Sequence, residues 1–253
     1  MKNFIINKDK RWISIISIIV MIIIWELLSL YYNSDFILPT PWKTLIATIN
    51  LLINKDFIFI AGSTILRGTI GFAIASLLGI SIGIISGINK SFNAFLAPVL
   101  VVIRSVPVIA ITLLALIWFR SNYVPVFIGI LTMFPIICTN IIEGMKNVEP
   151  NLIEMAKLYK VEHFRIIKEI YIPAITPFIF SGISSALGIG WRAIIVGEVL
   201  SQPQYGIGTI MHSSQTYLNV DILIAWTVIA ILISYCFEIL ISILKNKIII
   251  WDK

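Results

Sequence analysis

The chain has 253 residues, 58% of them hydrophobic and 13% charged, with a mean hydropathy of +0.98. Soluble domains carry about 25% charged residues, so a water-soluble core of this size is not expected; a polytopic membrane protein forming one domain over 1–253 is. The net charge of +6, from 19 basic and 13 acidic residues, fits Lys- and Arg-rich cytoplasmic loops rather than nucleic-acid binding.

Lys2, Lys8, Lys10 and Arg11 precede an apolar run at 12–32. The run is long, Trp25-Glu26 interrupts it, and no small-residue cleavage site follows. It therefore reads as an uncleaved first span behind a cytoplasmic tail at 1–11. Further runs at 60–87, 95–119, 123–143, 174–199 and 221–244 give six spans, each near the roughly 20 residues that cross a bilayer core. Open strands cannot satisfy their backbone in lipid, so the fold class is all-α, a polytopic membrane helical bundle. With the N-terminus inside, Lys90, Lys146, Lys157, Lys160, Arg165, Lys168, Lys245, Lys247 and Lys253 are cytoplasmic, and only Lys43, Lys55 and Arg120 are outside. This asymmetry places both ends, and the loop at 144–173, in the cytoplasm of a cell with this protein in its inner membrane.

After the first span, Leu38-Pro39-Thr40-Pro41 predicts a stiff extended turn. The amphipathic stretch from Trp42 to Phe57 predicts an interfacial helix on the outer face. Gly71, Ala75, Gly79, Gly83 and Gly87 recur every fourth position and give span 2 a face that another helix can approach closely. Pro107 and Pro135 fall inside spans 3 and 4, where they are expected to kink the helices. Cys138 and Cys236 lie in apolar runs as small hydrophobes, and neither His163 nor His212 has neighbours at metal-ligand spacing. Trp118, Tyr123 and Trp251 fit an interfacial aromatic belt.

Charge inside a membrane is expensive and points to function. The candidates are Glu26, Arg67, Arg104, Arg192, Glu198 and Glu238. Arg67 and Glu238 read as near the membrane faces, where snorkelling makes charge cheap. Arg104, Arg192 and Glu198 are the candidates for a solute pathway. The alternative is that the arginines pair with a carboxylate such as Glu198 to fix packing. Arg192 and Glu198 are six apart, off a common helix face, so such a pair would form across helices.

The polar loop is the most patterned segment. Asn151 is a good N-cap, and Glu154 stands where its carboxylate reaches back to the cap. Leu152, Met155, Ala156 and Tyr159 follow helical spacing and share one face. A second helix is expected near Val161, with Glu162, Arg165 and Glu169 as a charged ladder and Pro173 at the entry to span 5.

Glu154-Met155-Ala156, three residues, Lys160, nine residues, then Ile170-Tyr171-Ile172-Pro173 resembles the EAA loop of binding-protein-dependent ABC importers. That pattern is Glu-Ala-Ala, three residues, Gly, nine residues, Ile, any residue, Leu, Pro. Lys160 in place of Gly is the main departure; Met155 and Ile172 are mild ones. Leu38-Pro39-Thr40-Pro41, Arg104-Ser105-Val106-Pro107, and Gly190-Trp191-Arg192 through Glu198-Val199-Leu200 with Gly206-Ile207-Gly208 are similar to elements of the permeases for nitrate, sulfonates and taurine. The resemblance covers about residues 35 to 245.

It implies one half of a pore, paired with a second copy, and no catalytic residues in this chain. Glu154, Met155, Ala156, Lys160, Ile170 and Pro173 would dock a separate ATPase that binds ATP and Mg. An extracytoplasmic binding protein would deliver a small anion or, alternatively, a vitamin precursor such as a thiamine-type pyrimidine. Consistently, the sequence has no Gly-x-x-x-x-Gly-Lys-Ser/Thr phosphate-binding loop. A membrane-embedded enzyme and an ATP-independent carrier are the competing readings; neither explains the patterned loop.

Overall fold

The computed structural model describes residues 11–248. Most of the expected N-terminal tail and Trp251 therefore lie outside the described residues. All regular structure among the described residues is helical. Among the described residues, five helices are long and apolar enough to cross a membrane, or six if one bent pair counts as a single span. The described residues fall into two compact units, one built from 11–57 and 210–229, the other from 58–209 and 230–248.

In the first unit, α1 (Arg11–Tyr32) leads through a turn to α2 (Pro41–Ile53). The Leu38-Pro39-Thr40-Pro41 element explains that turn. Thr40 is extended and its hydroxyl accepts the N–H of Lys43 at 3.2 Å, while Pro41 opens the helix with its fixed φ. The Trp25 indole N–H donates to the Pro39 carbonyl at 3.0 Å and the Ser29 hydroxyl to that of Leu38 at 2.8 Å, so α1 is tied to the turn. The stretch expected to be helical from Trp42 to Phe57 is helical as α2, which ends earlier, at Ile53.

In the second unit, α3 (Phe57–Ile88), α6 (Val124–Lys146) and α9 (Ile172–Ser201) carry the core. The predicted stripe on α3 faces α6. A Cβ built on Gly79 would stand 2.9 Å from Ile137 Cβ, and one on Gly83 2.7 Å from Ile141 Cβ. Only glycine admits that approach. On its other side α6 meets α9, where Gly182 faces Asn140 and Gly197 faces Pro125. Ala75, Met133, Ile137, Ile141, Ile175, Ala186 and Ile194 fill the space between the three helices. Helix α6 runs through Pro135, and the Thr139 hydroxyl donates to the Pro135 carbonyl at 2.8 Å.

The third expected span is broken rather than continuous. It is two helices, α4 (Lys90–Ser105) and α5 (Val108–Trp118), meeting at 96°. Pro107 does more than kink: it holds Val106 extended, at ψ 128°, and takes the N-cap position of α5 itself. Asn89 caps α4 by accepting the N–H groups of Ser91 and Phe92. Leu96 and Leu100 of α4 pack on Cys138 and Ile142 of α6; Ala115 of α5 packs on Ile128 of α6 and Ala193 of α9. The chain continues through α10 (Ile207–Thr216) and α11 (Val220–Ile248).

Candidate functional site

The polar loop between α6 and α9 is helical throughout most of its length. Helix α7 spans Pro150–Leu158, then α8 spans His163–Ile166, and a π turn at Ile167–Tyr171 runs directly into α9. The start of α7 differs from expectation. Glu149 is the N-cap with no side-chain cap bond, Pro150 opens the helix, and Asn151 lies inside it. Proline at the first helical position thus displaces the capping pair expected of Asn151 and Glu154.

The end of α7 explains how Lys160 stands where glycine is favoured. Lys160 has φ 53°, the left-handed conformation. The Lys160 N–H donates to the Lys157 carbonyl at 2.9 Å and the Val161 N–H to the Ala156 carbonyl at 3.0 Å. These two bonds are a Schellman motif, which closes a helix through one left-handed residue. The turn shape that glycine would give is therefore present, with lysine in the strained position.

The rotation of α7 is also new. Leu152, Met155, Leu158 and Tyr159 are exposed, as are Glu154 and Lys157, whereas Ala156 is only 5% exposed and turned into the protein. Val148, Ile153, Ile170 and Tyr171 pack on the core of α3, α6 and α9. The loop is thus seated on the spans through one side and presents an apolar strip edged by charge on the other. Arg165 and Glu169 pair at 2.9 Å on the exposed surface, and the hydrogen bond that the guanidinium donates to Glu169 raises the arginine pKa. Pro173 lies in the first turn of α9, as expected.

At the opposite end of the same helices sits a buried ion pair. Arg67 Nη1 donates to Glu198 Oε1 at 2.7 Å and to the Tyr205 carbonyl at 2.8 Å, and Nη2 donates to Asn122 at 3.0 Å. The second carboxylate oxygen accepts the Thr64 hydroxyl and the Gly208 N–H, both at 3.0 Å. Thr64 in turn accepts the Ile207 N–H at 2.9 Å. Glu198 has no exposed surface.

Sequence reasoning missed this partner. The sequence suggests Arg67 as a snorkelling charge near a membrane face, and Glu198 as a pathway residue or a partner of Arg104 or Arg192. The two pair with each other, Arg67 buried within the protein and Glu198 enclosed. The available signal was Thr64 and Arg67 three apart on one helix face, with two glycines at 206 and 208 close after Glu198. Arg104 and Arg192 are exposed and make no ion pair among the described residues. Arg104 ends α4 beside the 96° break. Among the described residues, no group of three or more His, Cys, Asp or Glu is placed to hold a metal ion.

The fold and its loop define a class: a multi-pass helical membrane protein with a helical polar segment seated at one end of its bundle. The chain belongs to the family described as binding-protein-dependent transport system inner membrane component, whose model matches residues 75–250. It is 30% identical over 244 residues to a putative ABC transporter permease protein of Methanocaldococcus jannaschii, covering 92% of this chain and 89% of the relative. It is 27% identical over 235 residues to the putative aliphatic sulfonates transport permease protein of Bacillus subtilis, covering 92% and 84%. It is 29% identical over 176 residues to the bicarbonate transport system permease protein of Synechococcus elongatus, covering 68% and 63%. The chain is an ABC transporter permease of this subgroup, as its loop and its other motifs imply.

Proposed function

We infer that the chain is the membrane half-pore of an ATP-driven importer for a small oxyanion, working by alternating access. The observation that supports this reading most is the exposed strip of Met155, Leu158 and Tyr159 on a helix otherwise anchored to the spans. An apolar strip on a polar, charge-edged loop fits the groove of a soluble partner. That partner is an ATPase carrying ATP and Mg, and the loop is on the cytoplasmic side, with both chain ends.

The unbroken path from α8 through the π turn into α9 gives a push on the loop a route to the opposite end of the bundle. Pi turns inside helices often mark functional sites. A second copy of the chain completes the pore, and an extracytoplasmic binding protein supplies the solute.

For the solute, the exposed arginines are the guide. Arg192 shares a face of α9 with exposed Ser185 and with Gly188, beside which a Cβ would meet nothing within 4 Å. An arginine and small polar groups do not face lipid at membrane depth; they face a water-filled route or a protein partner. Arg104 stands at the α4–α5 break, and irregular backbone at that depth belongs beside a cavity or protein. Positive charge on such a route suits an anion, the chemistry that sulfonate and bicarbonate share.

The test is reconstitution in proteoliposomes with the ATPase and binding protein encoded beside the chain. Uptake of a sulfonate or bicarbonate should require ATP and the binding protein. Flux without ATP would instead favour a carrier.

A further inference from the structure

The ion pair of Arg67 and Glu198 joins four parts of the chain. Arg67 belongs to α3, Asn122 to the turn before α6, Glu198 to α9, and Tyr205 and Gly208 to the segment that follows. Both carboxylate oxygens accept from the protein, Oε1 from Arg67 and Oε2 from Thr64 and Gly208. The segment is pressed against the carboxylate: a Cβ on Gly206 would stand 2.8 Å from Glu198 Cδ, and one on Gly208 2.7 Å from Glu198 Cβ. Any residue larger than glycine at either position would meet the glutamate side chain. Separating the groups would leave an unpaired charge in a low-dielectric interior, which is among the costliest events in a protein.

We propose that Arg67 and Glu198 are positioning residues forming a permanent clamp, so that the ends of α3 and α9 and the segment 202–208 move as one body during transport. The proposal rests on the transport reading above. It gives the segment a fixed role: Gln204 and Tyr205 lie exposed on its tip, and the clamp beneath holds that tip to the bundle. The alternative use of the same groups is a gate that opens once per cycle, and the tight seat of the glycines argues against it.

Hydrogen exchange of the assembled transporter in lipid nanodiscs separates the two. The Ile207 and Gly208 amides report the clamp directly, since each donates into it. In the wild type both should exchange slowly, with rates within about threefold between the nucleotide-free and ATP-trapped states. Glu198→Gln should speed both by about tenfold or more in either state. Arg67→Lys keeps the charge and loses the fork. It should lower the kcat of uptake per folded transporter while the KM for loaded binding protein stays unchanged. A purely stabilising pair would change the amount of folded transporter and leave its kcat alone. Wild-type exchange that rises tenfold or more on ATP trapping would overturn the clamp, and needs no variant to fold. If the chain engages no ATPase at all, the transport reading falls; slow exchange of both amides in the chain alone, lost in Glu198→Gln, would still uphold the clamp.

Discussion

The backbone N–H of Val161 donates to the carbonyl of Ala156 across a left-handed Lys160, and this bond ends α7. A residue with a Cβ carries a cost of about 1–2 kcal/mol in that conformation. Lys160→Gly should therefore stabilise the loop by about 1 kcal/mol, seen as slower proteolysis between residues 157 and 162 of the purified protein. Lys160→Val should do the reverse, since a β-branched residue tolerates positive φ poorly. Equal cleavage of all three proteins would mean that the turn is not left-handed.

Surface and interior positions on α7 should behave differently. Met155→Asp with Leu158→Asp changes two exposed side chains and should leave insertion and thermal stability within about 0.5 kcal/mol of wild type. It should abolish stimulated ATP hydrolysis in the complex. Ala156→Asp places a charge at a buried site and should lower stability itself by several kcal/mol, about 3 or more. Detergent-solution melting of both variants checks the contrast; equal melting would place Ala156 on the surface.

Gly83→Leu tests the seam of α3 and α6. Its Cβ alone would stand 2.7 Å from Ile141, a core side chain with no exposed surface. Overpacking costs about 1–3 kcal/mol or more, so the melting temperature should fall. Gly62→Leu, where a Cβ meets nothing within 4 Å, should leave it unchanged.

Arg104→Gln and Arg192→Gln should each slow uptake, by about tenfold, while assembly with the ATPase and binding-protein affinity stay normal. Uptake assays on the two single variants settle this. Unchanged rates in both would remove the arginines from the route.

The spans were legible because hydrophobic length is a strong local signal, and the α3 stripe because four-residue spacing of glycine has one steric meaning. The Arg67–Glu198 pair was not legible. Its members are 131 residues apart, and each alone looks like a lone charge in an apolar run. The rotation of α7 was not legible either. Leu152, Ile153, Met155, Ala156 and Tyr159 offer two overlapping apolar faces, and only packing against α3, α6 and α9 decides which is buried. The α4–α5 break was half visible: Pro107 announced a disturbance, and the 96° angle came from how each half packs on α6 and α9.

The central claim is that the α7 loop grips a separate ATPase. Affinity purification of the tagged chain from its own membranes, wild type beside Met155→Asp/Leu158→Asp, tests it most directly. An ATP-hydrolysing subunit should copurify with the wild type and be absent from the equally abundant, equally folded variant. A wild-type chain that purifies without any ATPase, or a variant that retains it in full, would contradict the account.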